Sequence, residues 1–199
     1  MGWKKYSDSI AQNATISDSV LVDIIRSNGI NSTIDGRKAK GAKYNVIRQK
    51  IKVDRYKVDA DTAKVRLSFG DPHFLLEQSG ADYITDSVTP PLPGSGLYLT
   101  SEIYKKLASF AGGLKDGDGF GEINKKNVKR LKKYIPVDYG HWGGYWWFTT
   151  FPIITGICYA NNLIAVERRT SWCTGDVLWY VKENGKFILH PELTTRWIE

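Results

Sequence analysis

The sequence predicts an α+β fold, in which a curved antiparallel sheet of about six strands carries three helices on its concave side. Three segments repeat apolar residues at helical spacing, and the last third of the chain alternates apolar and polar residues between turn signals. The 199 residues suit a single domain, residues 1–199, with a possible subdivision near residues 90–100.

The first predicted helix lies in the stretch "ATISDSVLVDIIRSNG". Ser17 suits the N-cap, and Ile16 with Leu21 suits a hydrophobic staple across that cap. Asn28-Gly29 is a stop signal. The helix should pack through a wide apolar face, formed by Val20, Leu21, Ile24 and Ile25.

A hairpin with an apolar inner face and a basic outer face is predicted in residues 44–69, because apolar residues alternate with cations there. The inner face contains Ile47, Ile51, Val53, Ala63, Val65, Leu67 and Phe69. The outer face contains Lys50, Lys52, Lys64 and Arg66. Residues 70–96 then lose this pattern, and their prolines and glycines predict a long binding loop or an insertion over the sheet.

Two more helices are predicted in the middle of the chain. The first has Ser101 as a plausible N-cap, a stop at Gly112 and an apolar stripe of Ile103, Leu107 and Phe110. The second ends at Pro136 and has a stripe of Val128, Leu131 and Ile135.

The last third predicts three or four antiparallel strands. Asn161-Asn162 and Asn184-Gly185 are hairpin turn signals. A two-residue turn at Asn161-Asn162 pairs Cys158 with Ala165 and puts Cys173 opposite Thr150, about eight strand residues away, which is too far for a disulfide. Both cysteines are therefore expected to be reduced and buried.

The closing stretch "AVERRTSWCTGDVLWYVKENGKFIL" resembles the final strands of cystatin-like and NTF2-like α+β proteins, whose last hairpin commonly has a "GKW" or "GKF" turn. The resemblance covers about 60 residues. It implies a curved antiparallel sheet and no catalytic residue. The front of the chain departs from that pattern, because a hairpin precedes the two middle helices.

The chain has 28 Lys and Arg against 21 Asp and Glu, a net charge of +7, which favours contact with polyanions or anionic surfaces. No apolar run is long enough to span a bilayer, and no signal peptide is visible. A native N-terminus would therefore indicate a cytoplasmic protein, whereas removal of a leader would indicate an exported or periplasmic one.

The stretch "HWGGYWWF", residues 141–148, combines large aromatics, a histidine and a flexible Gly-Gly pair, the composition of a pocket rim. A buried core strand would have the same composition. The predicted ligand-binding residues are Asp138, His141, Trp142, Tyr145 and Trp147, capped by His73 from the long loop.

A second predicted site is a basic face for nucleic acid or another polyanion. Residues 125–133 contain six cations and no acid. The face would comprise Lys50, Lys52, Lys64, Arg66, Lys126, Lys129, Arg130 and Lys133. The alternative is an ordinary solvated surface.

Catalysis is the third possibility, in which Asp138 orients His141 as a general base of a small hydrolase or isomerase. No metal or cofactor is predicted, because no P-loop, metal-ligand spacing or nucleophile elbow is present. The stretch "DGDGFGE" resembles a calcium loop, but Phe120 and Asn127 occupy two ligand positions. The sequence therefore favours a non-catalytic domain that binds a small molecule or a protein partner.

Overall fold

The structure is a computed structural model that describes residues 2–14, 18–27, 42–57, 59, 83–112, 123–139, 146–148, 152–170 and 174–198. The chain divides into two compact units, which we call the helical unit and the sheet unit. The helical unit comprises Met1–Ala14, Asn31–Gln49 and Pro91–Thr150, and the sheet unit comprises Thr15–Ile30, Lys50–Pro90 and Phe151–Glu199. The chain passes from the sheet unit to the helical unit between Pro90 and Pro91, at the edge of the subdivision predicted near residues 90–100.

Four α-helices lie in the described ranges: α1 (Trp3–Asn13), α2 (Ser19–Ile25), α3 (Ser101–Ala111) and α4 (Lys125–Leu131). A 3₁₀ helix spans Pro191–Leu193. The three predicted helices are confirmed as α2, α3 and α4, whereas α1 was not predicted. Of these four helices, only α2 belongs to the sheet unit.

The helix caps were predicted to within one residue. Asp18, not Ser17, caps α2 and accepts hydrogen bonds from the main-chain nitrogens of Val20 and Leu21. Thr100, not Ser101, caps α3. The stop at Gly112 is confirmed by its left-handed φ of 80°, which a side chain would disfavour.

The strands are β1 (Asn45–Arg48), β2 (Ile51–Tyr56), β3 (Tyr83–Val88), β4 (Gly96–Leu99), β5 (Val137–Tyr139), β6 (Trp146–Phe148), β7 (Ile153–Tyr159), β8 (Leu163–Arg169), β9 (Thr174–Glu183), β10 (Lys186–Leu189) and β11 (Thr195–Ile198). In the helical unit, β1 pairs with β4 in parallel and β5 pairs with β6 in antiparallel. Strands β1, β4 and β5 share a buried core with α3 and α4, and this core includes Val46, Leu97, Ala108, Val128 and Val137.

Helix α1 is attached to β4 through both main-chain groups of one residue. The indole nitrogen of Trp3 donates to the carbonyl oxygen of Tyr98 at 2.8 Å, and the Tyr98 amide donates to Oγ of Ser7 at 2.9 Å. Ser7 and Tyr98 are both fully buried. Because β1 pairs with the other edge of β4, α1 satisfies a buried strand edge that would otherwise need another strand.

The sheet unit contains a seven-stranded mixed sheet in the order β10-β9-β8-β7-β2-β3, and β11 also pairs with β9. The sheet is not closed, and the α+β class is confirmed. Most neighbours are antiparallel, as predicted, but β2 and β7 are parallel.

The predicted hairpin of residues 44–69 is wrong. Its first half is split between two units, because β1 pairs with β4 while β2 pairs with β3 and β7. Both edges of β2 are thus occupied by other strands. Strand β3 comes from the segment predicted to be irregular, so part of that segment is a strand. The predicted alternation holds only at the start of β2, where Ile51 and Val53 are buried and Lys52 is exposed. Asp54 and Tyr56 share the face of Lys52 and are buried, so that face is not a basic outer face along the whole strand.

The C-terminal hairpins follow the predicted registers. Cys158 pairs with Ala165 across the Asn161-Asn162 turn, and Glu183 pairs with Lys186 across Asn184-Gly185. Cys158 is buried and not in a disulfide, as predicted, while Cys173 lies outside the described residues. An irregularity between Ile154 and Gly156 then shifts the β7–β8 register, which the sequence did not predict.

Candidate ligand cavity

The helical unit contains a cavity of about 400 Å³, which is within the usual range for a small-molecule site. Its wall comes from α1, α3, α4, β4 and the segments beside β1 and after α4. The lining residues are mostly aromatic and aliphatic: Gly2, Trp3, Lys4, Tyr44, Leu97, Leu107, Leu131, Tyr134 and Ile135.

The lining residues differ in solvent exposure: those at the floor of the cavity are buried, and those at its rim are partly exposed. At the floor, Leu97 and Ile135 are only 3% and 2% exposed. At the rim, the ring of Tyr134 is 58% exposed and the side chain of Lys4 is 33% exposed. A ligand therefore meets apolar carbon at depth and finds polar groups near solvent.

Hydrogen bonds position the three aromatic lining residues, Trp3 through its side chain and Tyr44 and Tyr134 through their main chains. Trp3 is fixed by its hydrogen bond to Tyr98. The Tyr44 amide donates to the Tyr134 carbonyl oxygen at 2.8 Å, which links the segment before β1 to the turn after α4. The ammonium of Lys43 lies 5.3 Å from the centre of the Tyr44 ring.

Among the residues that the structure describes, Lys4 is the only charged one in the lining. It forms an ion pair with Asp8, one turn further along α1, and the Asp8 side chain is 47% exposed. An exposed i,i+4 pair of this kind contributes only about 0.3–0.5 kcal/mol. Exchanging Asp8 for another anion at the Lys4 ammonium would therefore cost little free energy.

The two units differ strongly in charge. The helical unit has 16 Lys and Arg against 7 Asp and Glu, a net charge of +9, and the sheet unit has 12 against 14, a net charge of −2. The excess positive charge of the chain is thus confined to the helical unit.

Four of the predicted polyanion-binding residues form one exposed stripe. Lys126, Lys129, Arg130 and Lys133 are spaced three and four residues apart along α4 and the turn after it, and all four are exposed. Val128 is buried on the opposite side. Lys50 and Lys52 are also exposed, but they belong to the sheet unit, and Lys52 pairs with Asp54 at 3.3 Å.

Asp138 and Trp147 are the two predicted pocket residues within the described ranges, and they are direct Cα partners in the β5–β6 pair. His73, His141, Trp142 and Tyr145 lie outside the described residues. So do Lys64 and Arg66 of the predicted basic face, and the acidic positions of the calcium-like loop. The pocket predicted there and its catalytic alternative stay predictions.

None of the residues lining the 400 Å³ cavity was predicted as a site residue. One signal was present: Trp3, Tyr6, Ser7 and Ile10 are spaced as one face of a helix. Gly2 and Lys4 adjoin that face, but the lining residues from Tyr44 onward lie at least 34 positions beyond Ile10, so spacing alone does not bring them together.

In the described ranges, no group of three or more His, Cys, Asp and Glu side chains is placed to hold a metal ion. None of the helices in those ranges is long and apolar enough to cross a bilayer. Comparisons with protein-family models, curated proteins and solved structures returned no match to this chain. The resemblance of the closing strands to cystatin-like and NTF2-like proteins therefore stays a prediction.

Proposed function

We propose that the chain is a non-catalytic binding protein that takes up a small, largely apolar molecule in the cavity of the helical unit. The observation that carries this proposal is the lining: three aromatic and four aliphatic side chains surround about 400 Å³. Removing apolar ligand surface from water there contributes about 25 cal/mol per Å² before the costs of association.

The test is to fill the cavity and measure ligand-induced stabilisation. Leu107 lines the cavity from α3, and Leu107→Trp adds bulk into that space. Tyr104→Trp, one turn earlier on the same helix, is the matched control, because Tyr104 is 39% exposed and does not line the cavity. Thermal denaturation of each protein is recorded with a panel of apolar small molecules.

A ligand at about 100 times its Kd should stabilise the wild-type protein by about 2.7 kcal/mol and raise its unfolding midpoint. The rise should disappear in Leu107→Trp and persist in Tyr104→Trp. If no compound raises the wild-type midpoint, or if Leu107→Trp responds like the wild type, the cavity is not a binding site.

A second candidate function is the binding of nucleic acid or another polyanion by the helical unit. The exposed cation stripe of α4 favours it, because cations spaced along one helix face can neutralise neighbouring phosphates. Tyr134, exposed at the end of the stripe, offers a ring on which a base could stack.

Charge reversal in the stripe distinguishes this candidate. Lys129→Glu and Arg130→Glu should weaken binding of a single-stranded oligonucleotide and reduce the slope of log K against log salt by about 0.7 for each phosphate that is no longer neutralised. Lys105→Glu is the control, since it makes the same charge change on an exposed site of α3. Equal weakening in all three variants would indicate attraction to net charge alone, and unchanged binding would exclude the stripe.

A further inference from the structure

We infer that the ligand of the helical-unit cavity is an anionic amphiphile, with a hydrocarbon chain against the apolar floor and a carboxylate or phosphate at Lys4. This inference rests on the proposed function of the cavity and specifies the class of molecule it takes. The juxtaposition of buried apolar lining residues with Lys4, a lining residue whose side chain is partly exposed, carries it.

The floor selects a hydrocarbon. Leu97 and Ile135 are almost completely buried, and Leu107 and Leu131 line the same space. The indole N–H of Trp3, which is next to Lys4 in sequence, already donates to Tyr98. A polar ligand group at the floor would lose its hydrogen bonds to water without replacement, which disfavours its binding there.

The rim selects an anion. Within the described part of the chain, Lys4 is the one ionic group in the lining, and its ammonium has three donors, so it can hold Asp8 and a ligand oxygen together. The remainder of the helical unit reinforces this choice, because its net charge of +9 attracts anions and disfavours cations. Lys4 therefore orients the molecule with its headgroup outward.

Three probes with the same chain separate the headgroups: decanoic acid, decyl phosphate and decan-1-ol. Each is titrated as the monomer against the full chain, near neutral pH and at two salt concentrations. We expect both anions to bind at least about tenfold more tightly than the alcohol, and a difference between the two anions identifies the preferred headgroup.

Variants then locate the selectivity. Lys4→Met should remove the preference for the anions and leave the affinity for decan-1-ol within about twofold. Asp8→Asn should increase affinity for the anions, because it removes the carboxylate that competes for Lys4. Lys5→Met is the matched control, since Lys5 is exposed, adjacent in sequence and absent from the lining, and it should leave the preference intact.

The outcomes separate this inference from the proposed function. Equal affinity for all three probes, or anion preference that survives Lys4→Met, overturns the amphiphile inference while the cavity remains a binding site. Anion binding that is unchanged in Leu107→Trp also overturns it, because the anion then binds the basic surface. Failure of every probe to bind contradicts this inference, and the proposed function then depends on the wider ligand panel.

Discussion

The helical unit and the sheet unit satisfy the main-chain hydrogen-bonding groups at their strand edges in different ways. In the sheet unit, the interior strands β2, β7, β8 and β9 are paired with strands on both edges, and α2 is connected to β2 by an ion pair between Asp18 and Arg55 at 3.2 Å. In the helical unit, the short β1–β4 pair depends on the side chains of α1 to satisfy Tyr98. A small sheet can therefore leave room for a cavity, provided that a helix completes its edge.

In the sheet unit, Gly175 lies against Trp197, and adding a side chain there should destabilise the protein more than any other change considered below. A Cβ at Gly175 would lie 2.1 Å from the Trp197 ring and 2.5 Å from the carbonyl oxygen of Arg168. Gly175→Ala should therefore lower the free energy of unfolding by about 3 kcal/mol. Gly156→Ala is the control, because its Cβ would meet only a Glu167 side-chain oxygen, at 3.9 Å. Urea denaturation measures both, and similar midpoints would contradict the close packing.

In the helical unit, Ser7→Ala should cost about 2 kcal/mol, because it leaves the buried amide of Tyr98 without its acceptor. Ser9→Ala makes the same change two residues away, where the hydroxyl donates to the Tyr6 carbonyl oxygen within α1, and should cost less than about 0.5 kcal/mol. Thermal denaturation compares the two. Faster amide exchange at Tyr98 in Ser7→Ala alone would link the destabilisation to the attachment of α1.

Turn glycines offer a comparison across the units. Gly185 in the β9–β10 turn has a φ of 81°, and Gly185→Ala should cost about 1 kcal/mol because a side chain disfavours that conformation. Gly94, in the turn before β4, has open space around a new Cβ and no positive φ. Gly94→Ala should leave the urea midpoint within the measurement error, and an equal decrease in both variants would refute the backbone explanation.

The smallest expected effect is a pH dependence at the edge of the sheet unit. His190 contacts Oε1 of Glu192 at 2.5 Å and Oε1 of Glu183 at 2.7 Å, and hydrogen bonds to Glu192 first and Glu183 second raise the pKa of His190. The protonated form is thus favoured by folding. Its stabilising contribution is present below the ordinary pKa of 6.5 and is lost as the pH rises through the raised value.

This contribution is measured as the difference in unfolding midpoint between the wild type and His190→Gln. The difference should be larger at about pH 5.5 than at about pH 8.5, and salt should reduce it because these groups are exposed. A difference that stays constant with pH would show that the carboxylates do not favour the imidazolium in the folded protein.

Short-range signals predicted much of the fold. The caps near Asp18 and Thr100, the stop at Gly112 and the two C-terminal hairpins depend on residues a few positions apart, so the sequence displays them directly. The parallel β2–β7 pair, in contrast, joins residues about 100 positions apart, and nothing local specifies it.

The cavity was missed for the same reason. A separate error concerns which side chains of α3 are buried. The apolar stripe predicted on α3 included Phe110, but Phe110 is 40% exposed while Ala108 and Ala111 are fully buried. Small side chains let neighbouring backbones approach closely, and a pattern that ranks residues by hydrophobicity favours the larger ring. The exposure of the cations on α4 could be predicted because exposed cations need no distant partner, whereas their binding of a polyanion stays a prediction.

The attachment of α1 to Tyr98 also determines the order in which the helical unit can assemble. Trp3 and its acceptor are separated by 95 positions, so during translation α1 leaves the ribosome long before the strand that it completes. The cavity can form only later in synthesis, because its lining residues extend from Gly2 to Ile135. High contact order of this kind slows folding. Ligand binding by a nascent chain should therefore begin only after Ile135 has been synthesised.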